Sequence, residues 1–148
     1  MFKFLYNPLF GLMSEFFITH INGMTASCMG VQDNKIVNQV GLVMIVTVLL
    51  GYALLYHFID STRYHKKGCV WLMGLVLALL NALIAFFWVF GDIRSGNFCS
   101  LNPITMTDAI GFAMTNAIWA LLLFLIISSL PFPRAMSKNL SHTTFWKP

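Results

Sequence analysis

Apolar positions run without a charged residue through residues 40–58, 70–90 and 109–130. Each run is about 20 residues long, the length one α-helix needs to cross roughly 30 Å of hydrocarbon at about 1.5 Å per residue. The pattern predicts an all-α integral membrane protein with three transmembrane helices. Ahead of them, residues 8–21 read as an N-terminal amphipathic or interfacial helix. Pro8 is a favourable first helical residue after an Asn7 cap. Leu9, Met13, Phe16 and Phe17 recur at helical spacing, with Ser14, Glu15 and Thr19 on another face. Helices that seek anionic lipid carry Lys and Arg on the polar face. This one carries Glu15, so packing against the protein's own bundle or a neighbouring subunit is the expectation.

The stretches between the runs are punctuated by turn formers. Residues 23–35 form a glycine-bracketed polar connection, and residues 91–108 form a second one, long for a simple link between helices. Thr107 and Asp108 read as the N-terminal cap of the third span, and Pro131 and Pro133 stop it. Residues 1–38 therefore make an N-terminal segment, 39–130 a three-helix membrane domain, and 131–148 a basic and aromatic tail.

Composition agrees, because only 9% of the 148 residues are charged, where soluble domains carry about 25%. The charges present also predict orientation. Arg63, Lys66, Lys67, Arg134, Lys138 and Lys147 fall on one side of the predicted spans, whereas Lys3, Lys35 and Arg94 share the other with Glu15, Asp33, Asp92 and Asp108. The basic side is expected to be cytoplasmic, which puts the N-terminus outside and the C-terminus inside. The expected location is a bacterial cytoplasmic membrane, with an organellar inner membrane as the alternative. Basic residues distributed in this way do not suggest nucleic acid.

Within the runs, small and polar residues change the picture. Gly74 and Ala78, and then Ala113 and Ala117, repeat at four-residue steps, marking faces where helix backbones approach closely. Thr47, Asn81 and Asn116 fall in the middle half of the bilayer, where an amide needs a partner for every donor and acceptor. They read either as a hydrogen-bonded clasp between helices or as a polar ring lining an oligomeric pore.

The chemistry missing from the chain narrows its function. His57 is the one ionisable group in the runs of the kind proton relays and ion-coupled transport require. A bis-histidyl haem would need a second axial ligand at similar depth, and His65, Cys69 and His142 make an incomplete zinc set. Asp60 alone cannot supply the acid cluster that magnesium-dependent phosphoryl transfer needs. No nucleophile–base pair, phosphate loop, HExxH or CxxC is present. No catalytic residue, cofactor or metal is expected.

Remaining candidates serve contacts. Cys28 and Cys99 fall in the two non-cytoplasmic segments and could form a disulfide there. Phe16, Phe17, His57, Phe145 and Trp146 are the candidate interface residues. The expected partners are the lipid bilayer and other membrane subunits or copies of this chain. The leading reading is a non-catalytic subunit or anchor of a larger membrane assembly of secretion, conjugation, injection or respiratory type. The alternative is a homo-oligomeric pore, including a membrane-permeabilising effector. Asn81→Leu separates the interhelical clasp from the pore-lining ring, read by gel filtration and by liposome conductance. A clasp loses assembly, whereas a pore changes its conduction with assembly intact.

Overall fold

The computed structural model describes residues 13–24, 28, 36–58, 67–101 and 103–129. The Asn7 cap, Pro8, the proline stop at Pro131 and Pro133, His65, His142 and the tail with Phe145 and Trp146 lie outside the described residues. The described part is helical, in the order α1 Glu15–Ile21, α2 Ile36–Ala53 continued by a π-helical turn Leu54–Phe58, α3 Lys67–Ser95 and α4 Met106–Ser129. Three of these elements are long and apolar enough to cross a membrane. Helices α3 and α4 pack most extensively on each other, and α2 lies against both.

Helix α1 is shorter than its sequence pattern predicts. Met13 and Ser14 are not helical, and the helix starts at Glu15. Ser14 is the cap instead: its backbone is extended and its Oγ accepts from the Phe17 N–H at 3.2 Å. Its own N–H is taken by a carboxylate of α4 at 2.9 Å, so no helix can run through it from upstream. At the other end Gly23, at φ 101°, reverses the chain, with the Met24 N–H reaching back to the Thr19 carbonyl. Seven residues cannot hold a helix alone in water; α1 exists because the bundle holds it.

The long connection predicted over 91–108 is also shortened. Helix α3 carries on through Gly91, Asp92 and Arg94 to Ser95, reaching 29 residues, or about 43 Å. It stops where Gly96 adopts φ 66° and the Asn97 N–H bonds to the Asp92 carbonyl. The cap of α4 moves as well. Thr105, not Thr107 or Asp108, is the N-cap, and Asp108 is the third helical residue, closing a reciprocal capping box with Thr105.

The buried side chains form two apolar clusters, one toward each end of the bundle. At the end bearing α1, here the cap end, Phe17 and Ile21 join Val37, Val40, Ala85, Val89, Ala109 and Phe112. At the opposite end Val48, Tyr52, Leu55, Tyr56 and Val70 pack with Leu77, Ala120 and Phe124. Two glycines set the helix spacing there. A Cβ on Gly74 would come within 2.9 Å of Leu121 and 3.1 Å of Phe124, and one on Gly51 within 2.6 Å of Leu77.

Gly74→Leu would force α3 away from α4 and is expected to lower unfolding stability in detergent by about 1–3 kcal/mol. Gly91→Ala, where nothing lies within 4 Å, is the control and should be neutral or slightly stabilising.

Candidate functional site

The two apolar clusters are separated by one polar layer. Thr47 on α2 donates its hydroxyl toward Asn81 Oδ1 on α3 at 3.0 Å. That hydroxyl also lies 2.9 Å from the Val43 and Met44 carbonyls of its own helix, so a single proton is shared between the helix and Asn81. Asn81 Nδ2 donates to the Leu77 carbonyl at 2.9 Å, and Asn116 Nδ2 on α4 donates to the Asn81 carbonyl at 3.0 Å. Both asparagines are 0% exposed. One residue, Asn81, thereby joins all three long helices. This arrangement matches a clasp within one chain, and it leaves neither amide on a surface where a second copy could meet it.

The small residues divide between the interior and the surface. Gly74, Ala78 and Ala113 are buried between helices, Gly74 directly under Leu121 and Phe124 of α4. Ala117 is half-buried and lines, with Ala82 and Ala113, a shallow apolar groove between α3 and α4.

At the cap end the N-terminal segment is tied to the α3–α4 hairpin three times. The first tie is Asp108, buried at the start of α4. Its Oδ1 accepts from the Ser14 N–H at 2.9 Å, while Oδ2 accepts from the Thr105 N–H at 3.1 Å and the Thr105 hydroxyl at 2.7 Å. One carboxylate thus caps its own helix and holds the cap residue of α1, with charge-assisted bonds of the stronger kind. The second tie is His20, buried on α1, whose Nε2 lies 3.4 Å from Asp92 Oδ2 on α3. The third is covalent: Cys28 and Cys99 form a disulfide, with their Cα atoms 5.2 Å apart.

The predicted interface residues separate. Phe16 is 59% exposed, but Phe17 is 1% exposed and meets Phe112 edge-on at 5.7 Å between ring centres. Phe17 is therefore a core residue and is withdrawn as a partner contact, because its position on α1 points it into the bundle rather than away from it. His57 is exposed in the π-helical turn that ends α2. Phe145 and Trp146 lie outside the described residues. Among the described residues, no group of three His, Cys, Asp or Glu side chains is placed to hold a metal ion.

His20 and Gly51 are absent from the sequence-derived candidates, and Asp108 is read there only as a cap of its own helix. The Thr105-x-x-Asp108 spacing carries the signal of a capping box, though nothing in it names Ser14 as a further donor. His20 has no local signal, since its partner is 72 residues away. Compared with protein-family models, curated proteins and solved structures, the chain matches none.

Asp108→Ala removes both carboxylate acceptors, for Ser14 and for Thr105, and should release α1, read as faster backbone hydrogen exchange over Glu15–Ile21, at a cost of about 1–3 kcal/mol. Asp108→Asn keeps one carbonyl oxygen and should lose either Ser14 or Thr105 but not both. Its exchange rates are then expected to fall between those of the wild type and the alanine variant.

Proposed function

We propose that this chain is a non-catalytic membrane subunit that anchors a larger multiprotein assembly and presents its cap end to the partner. The observation that carries this reading is the triple tie at that end. A seven-residue helix fixed by a carboxylate, a histidine–aspartate contact and a disulfide is a pre-organised surface. Rigidity before contact reduces the ordering cost of binding. Exposed polar groups on it, among them Glu15, Thr19, Arg94 and Asn97, suit a partner that approaches from water.

The polar layer weighs against the alternative of a homo-oligomeric pore. A conducting path needs polar groups turned toward a shared lumen, and here Asn81 and Asn116 are bonded inside one chain. The outward faces of the spans are apolar, with Leu50, Leu72, Leu79 and Phe87 among their exposed side chains.

A disulfide persists in oxidising compartments, so its position supports a cap end that faces the non-cytoplasmic side. The count of basic residues supports the same orientation. A bacterial cytoplasmic membrane, with the cap facing the oxidising space beyond it, fits both.

Purification in mild detergent tests the proposal. The expected result is co-purification with other membrane proteins at a fixed ratio, with liposomes of the pure chain conducting no more than empty ones. Replacing Cys28 and Cys99 together by Ser should weaken co-purification while leaving membrane insertion intact. Conductance by the pure chain, altered by Asn81→Leu, would instead establish the pore.

A further inference from the structure

The sides of α1 face three different environments. Phe17, His20 and Ile21 are buried against the bundle, while Glu15 and Thr19 are exposed and polar. At about 100° per residue, Phe16 falls on the flank between these two sides, and it is 59% exposed. An exposed aromatic beside a polar crest is the pattern of a helix lying in a membrane interface.

The height of α1 along the bundle agrees. Its His20 meets Asp92 of α3, and Trp88 lies one turn below, about 6 Å away along the helix axis. Trp88 and Trp71 are both exposed on α3 and sit 17 positions apart, about 25 Å. That separation suits two aromatic belts at the edges of a hydrocarbon core. Helix α1 therefore lies at the belt on the cap side.

Continuity with the lipid-facing surface adds a third argument. Met106, Ile110 and Met114 follow at four-residue spacing on α4, and all three are exposed. Thr107, beside this strip, lines the same concave surface as Phe16 and Pro103. Phe16 thus extends the apolar outer face of α4 sideways onto α1. The charge of the helix itself agrees with an uncharged surface: α1 contains no Lys or Arg, and its one acid is Glu15, so the helix offers anionic headgroups no basic side chain of its own.

From these placements we infer that α1 is an interfacial helix whose Phe16 enters the cap-side leaflet and contacts zwitterionic phospholipid. The bundle holds one side of the helix and lipid takes its flank. The polar crest stays in water, leaving it free for the partner contact proposed above; the lipid contact does not depend on that partner.

Photocrosslinking in liposomes tests this. The full chain, carrying a benzophenone side chain at position 16, is reconstituted in phosphatidylcholine, irradiated and weighed by mass spectrometry. A phosphatidylcholine adduct several-fold more abundant than with the same probe at position 19 is expected. The probe at position 106, on the strip that Phe16 continues, should give the adduct as well, and retention of the Cys28–Cys99 bond checks the fold of each sample. Equal labelling at 16 and 19, a protein–protein adduct in place of the lipid one, or no adduct at 106 would each overturn the inference. So would an adduct at 16 that forms only when phosphatidylglycerol is added.

Discussion

A carboxamide in the middle of a bilayer has no water to turn to, and Asn81 sits at that depth in α3. Its side chain and its carbonyl must find partners in protein. Thr47 of α2 and Asn116 of α4 meet it there. Because apolar surface gives helices little reason to associate in lipid, these bonds and the close contact at Gly74 do work that hydrophobic burial does in a soluble core. Interhelical hydrogen bonds of this type contribute about 1 kcal/mol each, so their larger effect is on register. Sliding α4 by one residue would turn Asn116 by about 100° and take its amide away from the Asn81 carbonyl.

Register then determines what happens at the cap end. With α3 and α4 aligned at the asparagine layer, their ends bring Asp92 and Asp108 into reach of one short helix. Each acid sits at a helix end for local reasons. Asp108 closes the capping box of α4, and Asp92 lies in the last turn of α3, where its carbonyl ends the helix. Both then bond a second element. A change deep in the bundle and a change at the surface are thus connected through helix alignment rather than through direct contact.

Much of this was legible in the chain, and the boundary is physical. The three spans followed from length and lack of charge, which the bilayer imposes on any sequence that crosses it. The depth of Thr47, Asn81 and Asn116 followed from helical rise alone. Helix ends were less legible, because they depend on which donor wins a local competition. Ser14 stops α1 only because Asp108, 94 positions away, takes its N–H. Gly91 stays helical because the glycine in the left-handed conformation is Gly96. Gly51 has no glycine or alanine four positions away to mark a stripe, and its role is set by Leu77 on the facing helix. Phe16 and Phe17 look alike as neighbours in a sequence, yet a rotation of about 100° places one outside and one in the core.

The bond between Ser14 and Asp108 also bears on the order in which the molecule is made. A chain emerges from its N-terminal end, so the residues of α1 exist long before the carboxylate that holds their cap residue Ser14 has been synthesised. Until α4 has entered the membrane, α1 has neither its anchoring acceptor nor the Phe112 ring that Phe17 packs against. The first of the described helices is consequently the last to settle, and the finished cap is a record that all three spans have arrived.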